Sequence, residues 1–460
     1  MIFEQHYLEC LSQASYFIGD ETTGRAVVVD PRRDVAPYLQ TASEHRMEIE
    51  LIVETHFHAD FLSGHLELAA ATGAKIAYGS AGDTEFESRK LVDGERIELG
   101  DVVLEIRHTP GHTPESISVV VYEHADDTDP YGVLTGDTLF VGDVGRPDLL
   151  SSKGVTSEEL AGQLFDSLHD QLLTLPDVTR VYPGHGAGSS CGKNLSSETW
   201  STIGAQRSTN YALAAMSKDS FIEVVTDGQA APPAYFSYDA ALNRELRPIF
   251  DESQPSLLSI DEVIEHRDAG AVVLDTRDPN DFASGHLAGS INIGLAGRYA
   301  EFAGGVIEPE TPIVLVCDGG TALEGKTRLA RIGFDNVVGA LAEPLAALES
   351  HPDQARHGKR VDVPGLRAAL SDSENLQLVD CRQPGETAGG TIEGAVLVPL
   401  TLLNQQLGTL DPDRPTIVYC AGGFRSSIAA SRMIAAGFSD VGDLLGGYAA
   451  WEAAHAGSAS

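Results

Sequence analysis

Residues 55–61 read Thr55-His56-Phe57-His58-Ala59-Asp60-Phe61 and follow the apolar run Glu50 to Glu54 (ELIVE). A strand that runs into two histidines and an aspartate places three potential metal ligands in one strand-to-helix loop, with a helix expected from near Leu62 to Gly73. Alone, such a loop reads equally well as a polar connector or a helix cap. Three further turns after apolar strands change the balance: Thr109-Pro110-Gly111-His112-Thr113-Pro114, Thr135-Gly136-Asp137-Thr138 and Tyr182-Pro183-Gly184-His185-Gly186. Four such turns in order predict a metal site. Histidine and carboxylate donors of this kind suit a divalent transition metal.

Outward from the loop, the first 250 or so residues alternate short apolar strands such as Ala26 to Asp30 (AVVVD) with helical stretches, an α/β pattern. A chain of 460 residues exceeds one ordinary core. Polar breaks at Phe250 to Ser256 (FDESQPS) and His351 to Arg360 (HPDQARHGKR) divide it into expected domains 1–250, 257–350 and 362–460. The two small domains are copies of each other. Leu274 to Arg277 (LDTR) and Gly285 to Ile291 (GHLAGSI) correspond to Val379 to Arg382 (VDCR) and Gly390 to Val396 (GTIEGAV). Each copy then has a strand ending in cysteine, Ile313 to Cys317 (IVLVC) and Thr416 to Cys420 (TIVYC). A Gly-Gly loop follows, then a helix closed by Gly-Phe at Gly333 and Gly437. This order implies a parallel sheet flanked by helices.

The loop after the second strand is Cys420-Ala421-Gly422-Gly423-Phe424-Arg425-Ser426-Ser427. Its glycines let backbone N–H groups turn inward as an anion-binding nest at a helix N-terminus, with Gly422, Gly423 and Ser426 as expected substrate contacts. With Arg425 adding positive charge, Cys420 should be an acidic nucleophile able to hold a sulfane sulfur as a persulfide. In the first copy Ala322 stands where that arginine would be, and Asp318 and Glu324 bring negative charge. That should raise the Cys317 pKa and leave a poor transferase in a mainly structural domain.

Residues 1–250 resemble the metallo-β-lactamase superfamily, whose loop runs His-x-His-x-Asp-His; here Phe61 replaces the last histidine, a second-metal ligand. Within that superfamily they resemble the persulfide dioxygenases. The resemblance implies one Fe(II) per chain on His56, His112 and Asp137. It also implies oxidation by O2 of the outer sulfur of glutathione persulfide, or a similar low-molecular-weight persulfide, to sulfite with the thiol regenerated. His58, Asp60 and His185 then either orient ligands or water or are relics of a second metal site. Arg146 lies in Val144-Gly145-Arg146-Pro147-Asp148, similar to that family's segment near its glutathione site. It could hold a substrate carboxylate bidentately or form a salt bridge to a neighbouring aspartate. Residues 257–350 and 362–460 resemble rhodanese domains, the second with an active cysteine, which implies sulfur transfer between thiosulfate and a thiol or persulfide. Cys381 sits where rhodanese domains usually have an apolar residue and reads as packing.

The fold class expected is therefore α/β, a metallo-β-lactamase αββα sandwich followed by two rhodanese-like parallel-sheet α/β domains. The resemblance to dimeric and tetrameric families implies a homo-oligomer. Two alternatives remain: a zinc-dependent thioesterase of the glyoxalase II type with a rhodanese tail, disfavoured by Phe61, and a sulfur carrier or sensor. The net charge of -37, with no Lys or Arg cluster, argues against nucleic acid or an anionic membrane surface as partner. It fits adaptation to high salt or simply a well-solvated surface. No stretch approaches the roughly 20 apolar residues that cross a bilayer, and the start MIFEQHYLEC has Glu4 and no basic segment, so a cytoplasmic enzyme is expected. Five scattered cysteines, Cys10, Cys191, Cys317, Cys381 and Cys420, read as reduced thiols. Cys191 reads as buried and inert, with a redox role the alternative.

Overall fold

The run AVVVD becomes a strand whose alternate residues enter two different cores. In the computed structural model, which describes residues 1–149, 154–372 and 375–456, Val27 and Val29 pack between two sheets while Val28 packs outward under helices. That is the reason for continuous apolarity: both faces of the sheet are covered. Residues 457–460, the end of the third expected domain, lie outside the described residues.

Two compact units result, Met1–Asp251 with Ala330–Gly333, and Glu252–Leu329 with Phe334–Ser460. In the first, one sheet has the order β1 (Ile2–Leu8), β2 (Gln13–Asp20), β3 (Arg25–Val29), β4 (Glu48–Val53), β5 (Lys75–Gly79), β6 (Arg89–Leu91). The other comprises β7 (Arg96–Glu98), β8 (Val103–His108), β9 (Ile117–Tyr122), β10 (Gly132–Gly136), β11 (Arg180–Pro183) and β12 (Ser201–Thr202), ordered β12-β11-β10-β9-β8-β7. Tyr16, Ile18, Val53, Leu104, Val119 and Leu134 fill the space between the sheets. Tyr38 and Ala42 of the helix Ala36–His45 cover the outer face of the first sheet, and Ala161, Leu164 and Phe221 cover that of the second. This is the expected αββα sandwich, and the ligand turns all leave the C-terminal ends of its strands or their connecting loops.

The helix after the histidine loop starts later than expected, at His65, and ends at Thr72. The delay comes from Gly64, whose N–H bonds to the Pro31 carbonyl at 2.7 Å and whose missing Cβ would collide with the Arg32 carbonyl oxygen. Gly73 closes the helix as expected, in the left-handed conformation at φ 76° with its N–H on the Ala69 carbonyl.

The second unit repeats one topology. Its four-stranded parallel sheet has the order Ile291–Asn292, Val272–Asp275, Ile313–Cys317, Val337–Ala342. The five-stranded parallel sheet repeats that order as Val396–Leu397, Gln377–Asp380, Thr416–Tyr419, Val441–Leu444 and adds Lys359–Val361 at the edge. The copies meet where the helix Phe424–Ala435 of the second packs on Ile291–Asn292 of the first: the Asn292 N–H bonds to Ser431 Oγ at 3.0 Å, and the Phe302 and Phe424 rings lie 5.6 Å apart. Among the described residues no helix is long and apolar enough to cross a membrane.

Candidate metal centre and sulfur-transfer loop

Three side chains from three turns converge. The candidate ligand atoms of His56, His112 and Asp137 lie within 4.8 Å of one another, and all three residues are buried. Asp137 Oδ2 is 3.9 Å from His56 Nε2 and 3.5 Å from His112 Nε2. Ligands about 2.1 Å from a shared ion stand roughly 3 Å apart at right angles, so a small inward movement closes the set.

The histidines are fixed from behind. Thr55 donates through its backbone N–H to Asp30 Oδ1 at 2.7 Å and through its hydroxyl to Asp30 Oδ2 at 2.8 Å. The same hydroxyl stands 3.0 Å from His56 Nδ1, which donates to it. His112 Nδ1 donates to the Arg146 carbonyl at 2.9 Å. Both rings are thereby held in the Nδ1–H tautomer with Nε2 facing the centre. Glycines let the backbone close in: a Cβ on Gly145 would collide with the Asp137 carbonyl and stand 3.1 Å from His112 Nδ1, and one on Gly184 would stand 2.7 Å from Asp137 Oδ1.

Electrostatics points the same way. His56 Nε2, His112 Nε2, His185 Nε2 and both Asp137 oxygens are buried and lack a hydrogen-bond partner. Unsatisfied buried groups cost on the order of 1–3 kcal/mol each, a cost a bound cation removes. Burial first, then the neighbouring histidines, pushes the His56 pKa well below its usual value, and burial pushes His112 down to about 4. Burial pushes Asp137 up to about 6. Neutral imidazoles facing a carboxylate form a donor set that fits a divalent transition metal.

Beside this set stand His58, Asp60 and His185. His185 Nε2 is 3.3 Å from Asp60 Oδ2 and 3.5 Å from Asp137 Oδ1, while its Nδ1 donates to the Ser12 carbonyl at 3.1 Å. Thr55 and the Arg146 carbonyl bond to His56 and His112, while His185 lies against the third candidate ligand, Asp137. His58 is engaged elsewhere: its Nε2 is 3.0 Å from Asp30 Oδ1 and 3.5 Å from Glu54 Oε2. Burial lowers its pKa, but the Asp30 and Glu54 carboxylates override that and hold it well above the usual value. Phe61 packs its ring 4.3 Å from that of His58. Cys191 is raised well above the usual thiol value, by burial first and then by Asp60 and Asp137, within reach of which it lies.

Sequence reasoning missed three groups here. Asp30 and Thr55 form one chain of bonds to His56, and Asn243 clamps the ligand loop by donating to the His58 carbonyl at 2.8 Å and the Phe61 carbonyl at 2.9 Å. Arg146 is engaged within the protein. Its Nε and Nη2 donate to Asp148 Oδ1 and Oδ2 at 2.7 and 2.8 Å, and Nη1 and Nη2 also donate to the Ser190 and Ala230 carbonyls. Of the two roles considered for Arg146 the structure favours the salt bridge, because the guanidinium is spent inside the protein.

In the second unit Cys420 is buried at the N-terminus of the helix Phe424–Ala435. Its pKa is lowered to about 5, first by the Cys381 thiol turned toward it, against the effect of burial, and then by Ser426 and the Gly423 N–H. That N–H lies 3.1 Å from Sγ and the Ser426 hydroxyl 3.6 Å. Gly423 needs its glycine, at φ 96° with backbone close by, whereas a Cβ on Gly422 would meet nothing. The Gly423 N–H and Ser426 act as the expected nest, and the Cys381 thiol adds an influence that was not expected. Arg425 is committed to Glu386 through two bonds of 2.6 Å, so its charge is largely compensated. In the first copy the Cys317 pKa is raised, by burial first and then by Asp318 and Asp275; Glu324 instead lies 3.4 Å from Arg328.

Comparison with known proteins agrees with this architecture. The Metallo-beta-lactamase superfamily matches residues 8–185 and the Rhodanese-like domain matches residues 259–347 and 364–454. A crystal structure of a metallo-beta-lactamase from Staphylococcus aureus is 33% identical with a TM-score of 0.69, covering 74% of this chain and 99% of that one. The Homo sapiens mitochondrial persulfide dioxygenase ETHE1 is 27% identical over 50% of this chain and 82% of its own length. An Arabidopsis thaliana cytoplasmic hydroxyacylglutathione hydrolase is 34% identical over 39% of this chain and 66% of its own length. The chain belongs to the metallo-beta-lactamase superfamily and continues, in the same polypeptide, into two rhodanese-like domains.

Proposed function

We propose that the first unit oxidises the outer sulfur of glutathione persulfide, or a similar small persulfide, to sulfite at one iron held by His56, His112 and Asp137, and that Cys420 transfers sulfane sulfur between thiosulfate and thiols. The observation that carries this reading is the arrangement of the second histidine of the loop. His58, which groups with Asp60 and His185 in a second candidate donor set, is also held 3.0 Å from Asp30 Oδ1 and 3.5 Å from Glu54 Oε2, and Phe61 packs against it where the superfamily's loop has a further histidine, which favours His56, His112 and Asp137 as the set for a single metal. Similarity to a persulfide dioxygenase supports the oxidative reading, and similarity to a hydroxyacylglutathione hydrolase keeps hydrolysis as its competitor.

Iron bound there would supply the one-electron chemistry that lets dioxygen react with a closed-shell persulfide. The chain supplies the rest. Thr55 and the Arg146 carbonyl hold the two imidazoles in the ligating tautomer, Asp137 contributes negative charge, and the buried walls limit water. At Cys420 the thiolate, held by the Gly423 N–H and Ser426, attacks the sulfane sulfur of thiosulfate. A sulfur–sulfur bond forms to Sγ, the old one breaks, and sulfite leaves with the electron pair. An acceptor thiolate then takes the outer sulfur and regenerates Cys420.

Two variants separate the activities. His112→Ala should abolish oxygen uptake with glutathione persulfide and keep thiosulfate-to-thiol transfer, and Cys420→Ser should do the reverse. Loss of both activities in either variant would overturn the assignment.

A further inference from the structure

The residue first read as packing beside Cys420 has a chemistry of its own. In the parallel sheet Asp380 is in register with Tyr419, and the Cys381 N–H bonds to the Tyr419 carbonyl at 2.9 Å. One residue further along, Cys381 therefore flanks Cys420 across neighbouring strands and on the same face of the sheet. Parallel strands run about 4.8 Å apart, inside the roughly 4.4–6.8 Å between Cα atoms that a disulfide spans. Consistent with that placement, the Cys381 thiol is the largest influence lowering the Cys420 pKa. Both thiols are free and buried. The repeat sharpens the point: Asp275 is in register with Val316, so Thr276 holds the same place beside Cys317. The second thiol is present only in the copy whose cysteine is activated.

We propose that Cys381 is a resolving thiol for the persulfide form of Cys420. The Cys381 sulfur attacks Cys420 Sγ, a Cys381–Cys420 bond forms, and the bond from Sγ to the sulfane sulfur breaks. The sulfane sulfur leaves with the electron pair as hydrosulfide and takes up the proton released by Cys381. Two electrons pass from the cysteine sulfurs to the sulfane sulfur, so no outside oxidant is needed. The disulfide silences the transferase until two equivalents of a small thiol reopen it by exchange. Burial first, and then the neighbouring Cys420, holds the Cys381 pKa well above the usual thiol value. A mostly protonated thiol attacks slowly, so an abundant acceptor thiol in solution wins and closure follows only when the acceptor runs out.

This inference rests on the transferase reading, and one experiment distinguishes the two. The reduced full-length protein, freed of reductant without air, is mixed with thiosulfate and no acceptor; sulfite and hydrosulfide are measured, and cysteine linkages are mapped by mass spectrometry of alkylated peptides. The expected result is one sulfite per chain, then one hydrosulfide and a Cys381–Cys420 linked peptide. Cys381→Val and Cys381→Thr, the latter copying the other repeat, should release sulfite, no hydrosulfide, and keep the persulfide. Sulfite release with a lasting persulfide in the wild type, or hydrosulfide release from both variants, would overturn the resolving role and leave the transferase standing. Absence of sulfite from the wild type would overturn the transferase reading and the resolving role with it.

Discussion

Replacing Thr55 by valine removes one hydroxyl and almost no volume. That hydroxyl donates to Asp30 Oδ2 at 2.8 Å and receives the Nδ1–H of His56 at 3.0 Å. Asp30 keeps the Thr55 N–H at 2.7 Å, so the loop stays anchored, while His56 loses the group that sets its tautomer and ring angle. Loss of such a supporting bond typically weakens a metal site by about 10- to 100-fold, or roughly 1.4 to 2.8 kcal/mol. Some of the loss can be tested by restoration, since Thr55→Ser keeps the hydroxyl. Metal affinity of the purified full-length proteins would be measured by competition with a chromophoric chelator, with thermal unfolding as the check on the fold. Thr55→Val should fall within that range and Thr55→Ser should lie close to wild type. A Thr55→Val protein that binds metal as tightly as wild type would refute the role given to the Asp30–Thr55–His56 chain.

Arg146→Lys loses a bidentate bridge from a buried position and should lower stability by roughly 3 kcal/mol in denaturant unfolding. Its KM for glutathione persulfide should be unchanged, and a raised KM at wild-type stability would return Arg146 to substrate binding. Gly145→Ala places a methyl on the Asp137 carbonyl and near His112 Nδ1, so metal content should fall below one per chain while transfer at Cys420 persists. For Cys420, lowering the pKa to about 5 means the thiolate dominates at neutral pH and is lost as pH falls through about 5. The rate of reaction with thiosulfate should follow that curve, and Cys381→Val should move it to higher pH; a midpoint near the ordinary thiol value of 9.0 in wild type would contradict the reading.

The parts of the site legible in sequence are those carried by short turns: His56, His112, Asp137 and Cys420 each lie in the turn that follows a strand, and such a turn is marked by its own few residues. The parts that were not legible are held by residues distant along the chain. Asp30 lies 25 residues from Thr55 and Asn243 lies 185 from His58, and neither sits in a turn of its own that advertises a ligand. At Arg425 and Arg146 sequence shows a cation without its counter-ion, here Glu386 and Asp148. Cys381 looked like packing because its neighbour is set by strand register across the sheet, which the repeat implied without giving the facing side chain. The duplicated parallel sheet was readable because it follows from the period and order of apolar runs, whereas those runs gave the first unit only as α/β and its αββα sandwich came from the resemblance of its ligand turns to the metallo-β-lactamase superfamily.

The most direct test of the central claim is a single stoichiometry. Iron-loaded full-length protein is given glutathione persulfide in an oxygen electrode, with metal, oxygen consumed and sulfite formed measured on the same sample. One iron per chain and one oxygen consumed for each sulfite formed is the expected result. A protein that takes up no oxygen, and instead releases thiol from a glutathione thioester with zinc bound, would contradict it.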